Sequence, residues 1–119
     1  MTKHTNHADV LIIGAGFAGL GMAIRLRQAG IHNIIILERS DQVGGTWRDN
    51  QYPGAACDIP SNLYSYSFAP NPNWSRSYSG SAEILDYVHA MVRERRKETL
   101  QKCSKYVGSK PKTCVRTPI

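Results

Sequence analysis

The sequence predicts an α/β fold that opens with a βαβ unit of Rossmann type. Three observations carry the prediction: two short runs apolar on both faces, a helical stretch between them, and clustered glycines where the first run meets the helix. The 119 residues make one domain of ordinary size and not two.

The first strand is Asp9-Val10-Leu11-Ile12-Ile13, a continuous branched-apolar run of the kind that parallel strands buried on both faces require. Gly14 stops it. A helix is expected from Phe17 to Ala29, with Gly19, Met22, Ala23, Leu26 and Ala29 on its buried stripe and Arg25 and Gln28 opposite. Asn33-Ile34-Ile35-Ile36-Leu37 is a second buried-type strand, closed by Glu38. A later helix is expected over residues 81–95, with Ser81 as its N-cap and Glu83 in its first turn, where the helix dipole favours a carboxylate. Ile84, Leu85, Val88, Met91 and Val92 give it one buried face. Residues 40–80 between them show no period and hold four of the six prolines. An irregular stretch of that length inside a compact domain is usually functional.

Charge divides the chain. Residues 1–92 carry six basic and seven acidic side chains, whereas residues 93–119 carry nine and two, so the whole net charge of +6 sits at the C-terminal end. Three cysteines are too few for a disulfide framework or a zinc cluster, and no apolar run reaches the ~20 residues of a membrane span. A cytoplasmic protein without metal or membrane association is the expectation. His4-x-x-His7 has no further ligands beside it, His32 and His89 read as surface residues, and Cys57 reads as a small buried hydrophobe.

Gly14-Ala15-Gly16-Phe17-Ala18-Gly19 is a G-x-G-x-x-G run between strand and helix, followed by an acid 19 residues after its last glycine. In that context the glycines permit the tight turn, the close approach of a pyrophosphate and the packing of helix on strand. The helix start turns its N–H groups to the phosphates. Glu38 accepts ribose hydroxyls and repels a 2′-phosphate, which suits FAD or NAD.

Beyond Glu38-Arg39 come Val43-Gly44-Gly45-Thr46-Trp47, Asn50-Gln51-Tyr52-Pro53-Gly54, Cys57-Asp58 and Tyr64-Ser65-Tyr66-Ser67-Phe68. This series, with Trp74, Tyr78 and Glu83-Ile84-Leu85-x-Tyr87, resembles the N-terminal FAD-binding part of Baeyer–Villiger monooxygenases, class B flavin-containing monooxygenases. The likeness runs from about Val10 to Arg95. It implies FAD as cofactor, with NADPH used by the complete enzyme, and oxygen insertion beside a ketone carbonyl or oxidation of a heteroatom in a small-molecule substrate. It implies that Gly14, Ala15, Gly16, Phe17, Ala18 and Gly19 hold the pyrophosphate and that Glu38 and Arg39 flank the ribose. Gly45, Thr46, Trp47, Arg48 and Asp49 would line FAD. Asp58 would lie near the flavin with Ala56 and Cys57 beside it, and Tyr64 would also touch FAD. Without the resemblance, packing of the loop is the better reading of Trp47, Tyr64, Tyr66, Phe68 and Trp74.

The family's second glycine fingerprint, its His-centred signature and its catalytic Arg have no counterpart here, so no catalytic residue is expected in this chain. The sheet is expected to be incomplete, leaving an edge and apolar surface exposed. The isolated chain is expected to show no turnover and weak FAD retention or none. Residues 1–8 read as a flexible lead-in, 9–95 as a partial FAD-binding domain, and 96–119 as a basic tail from a shifted frame or a fused end. Two other readings stay open: a stand-alone dinucleotide-binding module, and a small basic protein contacting nucleic acid through residues 93–119. Only Tyr106 is available there for base stacking, which disfavours the latter.

Overall fold

The computed structural model describes residues 7–95 and, as backbone, residues 101–107 and 110–116. The lead-in up to residue 6, with His4, and residues 96–100, 108–109 and 117–119 of the tail lie outside the described residues. The elements are β1 (Val10–Ile13), α1 (Phe17–Gln28), β2 (Ile34–Leu37), α2 (Thr46–Asp49), a 3-10 turn at Ser61–Leu63, α3 (Ser81–Glu94), β3 (Gln101–Val107) and β4 (Lys110–Arg116).

β1 and β2 pair in parallel through α1, with Val10 opposite Ile34 and Ile13 opposite Leu37. The predicted βαβ start is therefore present, each element within a residue of its expected ends. One expectation fails at β1. Leu11 and Ile13 are 55% and 83% exposed, while Val10 and Ile12 are half-buried and Ile34, Ile35 and Ile36 of β2 are buried. Only the α1 side of β1 is covered by described residues, so a strand with the composition of a two-faced core element buries one face.

α1 is rotated from the expected phase. Leu20, Ala23 and Ile24 are buried, whereas Met22 is 55% exposed and Ala29 is exposed. The first eight residues of α1, FAGLGMAI, carry no charged or hydrogen-bonding side chain, so periodicity leaves the phase open there. Packing decides it. A Cβ on Gly21 would stand 2.6 Å from the Tyr66 ring, so this helical glycine is the seat of an aromatic side chain.

α3 buries Ile84, Tyr87, Val88 and Met91 against the cluster built from Leu20, Ala23, Ile24, Ile34, Ile36 and Tyr66. Its N-cap is Gly80 and not Ser81, and no side chain caps it. The Ser81 N–H instead donates to the Ala55 carbonyl at 2.8 Å, so a loop satisfies the helix start. Glu83, in the first turn as expected, accepts the backbone N–H and hydroxyl of Ser75 at 2.8 and 2.9 Å. The backbone bond, more than any other contact, holds its carboxyl below the ordinary range.

The irregular stretch is stitched by short polar contacts. Ser61 Oγ accepts the Ser79 N–H at 2.7 Å and lies 2.9 Å from Ser79 Oγ, both serines being buried. The Cys57 N–H donates to the Ser79 carbonyl, and the Ser61 N–H to that of Ser77. Cys57 is 5% exposed, as expected of a buried hydrophobe. The C-terminal residues, which show no pattern in the sequence, form an antiparallel hairpin with Gln101 opposite Arg116 and Val107 opposite Lys110. The two sheets are separate in hydrogen bonding, although β4 passes close to β2.

Candidate functional site

The site is built where β1 ends. The Gly14 N–H donates to the Leu37 carbonyl at 2.7 Å, extending the ladder by one step before the chain turns away. That turn places Gly14 at φ 98°, with open space where a side chain would stand. Gly16 follows as N-cap of α1, and the helix has neither a side-chain cap nor an acidic residue in its first turn. The partial positive charge of that end is left for an external anion. A Cβ on Gly19 would stand 2.0 Å from the Gly14 carbonyl oxygen, so α1 seats on the strand end only with glycine there.

A second glycine loop packs on the first. The Gly44 N–H donates to the Ala15 carbonyl at 3.0 Å, and a Cβ on Gly45 would stand 3.0 Å from Gly16 Cα. Gly45 itself sits at φ 53° as it leads into α2. The sequence named the Gly44-Gly45 pair through resemblance alone. The physical reason is this backbone-on-backbone approach, and Gly44 belongs to the site as much as Gly45 does. A Cβ on Gly44 would also strike Leu85 Cδ1 at 2.5 Å, which links the loop to α3.

Glu38 ties these parts together. It is 7% exposed, and its Oε2 accepts the Ala15 N–H at 2.8 Å while Oε1 accepts the Ser40 N–H at 3.0 Å. Arg48 Nη1 lies 3.5 Å from Oε1, and the Arg48 side chain is only 11% exposed. The same guanidinium donates to the Gln42 carbonyl at 2.5 Å and forks onto Asp49 at 2.9 and 3.2 Å. The hydrogen bond to Asp49, ahead of burial and the other charges, raises the Arg48 pKa and lowers that of Asp49. Arg39 Nη2 stands 3.9 Å from Asp49 Oδ2. Gly14–Gly19, Glu38, Arg39, Gly45, Arg48 and Asp49 therefore converge, with Thr46 exposed at the start of α2.

Trp47 and Tyr64 join from the side. The indole N–H donates to the Tyr64 oxygen at 2.9 Å, with the rings edge to face at 5.4 Å. The phenol's own proton is left to donate. Burial is the main cause that pushes its pKa above the ordinary value. Phe17 contacts both Tyr64 and Tyr66, at centroid distances of 5.2 and 4.4 Å. Tyr66 donates to the Phe17 carbonyl, and the Tyr87 hydroxyl accepts the Tyr66 N–H and donates to the Ala69 carbonyl. The aromatic residues thus pack the loop and also fix the first turn of α1. Tyr66 and Tyr87 have that second task, which their spacing alone does not reveal.

Ala56, Cys57 and Asp58 stand apart. Ala56 and Asp58 are exposed, and their segment bridges Gly80 through Ala56. Among the described residues, Asp58 reaches the rest of the site through its charge, which acts on the Tyr64 phenol.

A parallel βαβ start with a glycine loop at the strand end, an uncapped helix and an acid closing the second strand defines a dinucleotide-binding protein of Rossmann class. Residues 12–80 match the NAD(P)-binding Rossmann-like domain, and the chain belongs to that family. It is 60% identical over 82 residues to a Baeyer-Villiger monooxygenase of Streptomyces coelicolor, a match covering 69% of this chain and 16% of the relative. Among solved structures, an oxidized steroid monooxygenase bound to NADP is similar at TM-score 0.68 and 42% identity, over 72% of this chain and 17% of that one. The complex of OTEMO with FAD and NADP is similar at TM-score 0.68 and 29% identity, over 90% and 24%. The resemblance carried by the G-G-T-W and Y-P-G…C-D segments is thus matched by curated relatives. The chain spans about a sixth of the length of the curated relative described above.

Proposed function

We propose that this chain grips FAD as the dinucleotide-binding portion of a Baeyer–Villiger-type flavoprotein monooxygenase. The observation that carries this reading is the stacking of two glycine loops, Gly14–Gly19 and Gly44-Gly45, at the end of a parallel strand, with Glu38 bonded into the first of them. The residues fit the group. Gly14 leaves open space at the strand end, α1 presents an uncapped N-terminus to a pyrophosphate, and Glu38 supplies an acceptor for ribose hydroxyls.

Bound FAD supplies the oxygen-activating chemistry that protein side chains lack. The chain's own residues bind and orient. The N–H groups at the start of α1 would hold the pyrophosphate, and Arg48, with Nη1 3.5 Å from Oε1, fixes the Glu38 carboxylate in direction. The Tyr64 phenol offers its proton as a donor, while Trp47 and Phe17 shield that side from water. Ala56, Cys57 and Asp58 contribute near the flavin. In the complete enzyme NADPH is the reductant, and a small ketone or heteroatom compound is the substrate.

Titration of the purified chain with FAD, followed by quenching of flavin fluorescence, tests the reading. Weak saturable binding that ADP displaces is expected, with no monooxygenase turnover. Absence of quenching at high protein concentration, or displacement by any polyanion alike, overturns it.

A further inference from the structure

The acid that meets the ribose is not an isolated charge. Glu38, Arg48, Asp49 and Arg39 form a row of alternating sign: Arg48 lies 3.5 Å from Glu38 and forks onto Asp49, and Arg39 lies 3.9 Å from Asp49. Two guanidinium groups therefore stand beside a site whose acid is expected to reject a phosphorylated ribose. An arginine close to that acid is the usual means of accepting a 2′-phosphate. Both arginines here are paired with the Asp49 carboxylate, and Arg48 also lies against Glu38. Arg48 is held by bonds to Asp49 and Gln42, while Arg39, 78% exposed at its side chain, reaches Asp49 as its nearest described anion.

We propose that Asp49 sets which adenosine ribose the site accepts, by holding Arg39 and Arg48 away from a 2′-phosphate so that the Glu38 charge excludes it. Asp49 is half exposed, and the described contacts of its carboxylate are to Arg48 and Arg39, so the side chain's work is done on the two arginines. Its removal leaves Glu38 in place but frees one guanidinium to swing and shifts the local charge by +1. A phosphate dianion then gains a charge-assisted partner that it lacks in the native chain. The inference rests on the adenosine end of a dinucleotide lying at Glu38.

NAD+ and NADP+ differ only in the 2′-phosphate, and their displacement of FAD from the 119-residue chain gives the test. In the native chain NADP+ displaces FAD less well than NAD+ does. Asp49→Asn moves the ratio of the two displacement constants about tenfold toward NADP+ at low salt, and the shift shrinks as ionic strength rises. Adding Arg39→Ala to Asp49→Asn returns most of the shift, because Arg39 is the exposed cation that Asp49 releases. A merely structural role for Asp49 weakens both ligands together and leaves the ratio unmoved, which overturns the proposal. A shift that survives Arg39→Ala overturns the part assigned to Arg39. Failure of the native chain to bind FAD removes the functional reading itself, whereas FAD binding with an unmoved ratio removes only this inference.

Discussion

Replacing Gly19 and Gly16 separately by alanine separates what holds the fold from what admits a ligand. At Gly19 the new Cβ meets the Gly14 carbonyl oxygen at 2.0 Å, about 1.4 Å inside ordinary contact, and the obstacle is backbone. Alanine improves helix propensity by about 1 kcal/mol. Forced repacking costs about 1–3 kcal/mol, and here α1 must move off the strand end to relieve the contact. A clash with backbone puts the cost at the upper end of that range. The net expectation is a loss of about 2 kcal/mol, which lowers Tm by roughly 8–16 °C in a domain of this size. At Gly16 the new Cβ has only Gly45 Cα near it, at an ordinary 3.6 Å, and φ is −82°. Gly16→Ala therefore keeps Tm within a few degrees, yet it puts a methyl group where the pyrophosphate approaches, and FAD affinity falls at least tenfold. Thermal unfolding by circular dichroism and FAD titration of both variants read the two effects. A Gly19→Ala chain as stable as the native one refutes the packing argument. Unchanged FAD affinity in Gly16→Ala refutes the placement of the pyrophosphate.

Three further outcomes follow from the polar contacts. Ser61→Ala leaves the buried Ser79 N–H without its acceptor and costs about 1–3 kcal/mol, whereas Ser79→Ala keeps that bond and costs less; denaturant melts rank the two. Trp47→Phe keeps the ring contact but removes the indole N–H from Tyr64, for a loss of about 1 kcal/mol and a rise in the Tyr64 titration followed by ultraviolet absorbance, because that bond lowers the phenol's pKa. Burial raises the phenols of Tyr64, Tyr66 and Tyr87 above their ordinary 10.0. Their stabilising contribution is complete below pH 10, where both folded and unfolded phenols are protonated. It is lost as pH rises further, since the unfolded chain ionises first. Urea midpoints that fall above pH 10 in the native chain, and fall less in Tyr66→Phe, check the assignment.

The βαβ start was legible because its signals are local: branched apolar runs make the strands, and the glycines with Glu38 mark the turns at the strand ends. The phase of α1 was not, since its first two turns offer no polar residue to orient it and Tyr66, over forty residues away, decides. Ser81 illustrates the same limit. It is a good cap by type, but the Ala55 carbonyl reaches the helix first. The burial of β1 was overestimated because composition reports what a strand can bury, while coverage depends on what lies over it. The C-terminal hairpin was not legible because its strands, QKCSKYV and KPKTCVR, hold few apolar residues to alternate. Among the site residues, resemblance named Gly45, Arg48, Asp49 and Tyr64. It gave no reason for them, and the reasons are contacts between segments distant in the chain.

Those contacts show where the rigidity of the first glycine loop originates. α1 fixes the loop from within, by the seating of Gly19 on Gly14. The other restraints come from the end of β2 and from beyond it: Leu37 holds the Gly14 N–H, Glu38 holds the Ala15 N–H, and Gly44 holds the Ala15 carbonyl. Ala15 thus has both its backbone groups engaged by the second strand and the second glycine loop, and its orientation is set before any ligand arrives. Glu38 is held in turn by Ser40 and Arg48, and Arg48 by Gln42 and Asp49. The acid proposed to read the ribose is therefore also a structural member of the loop proposed to receive the phosphates. Preorganisation of this kind reduces the ordering cost of binding. In the proposed reading it also makes adenosine and pyrophosphate recognition one connected hydrogen-bond network, in which a change at either end is felt at the other.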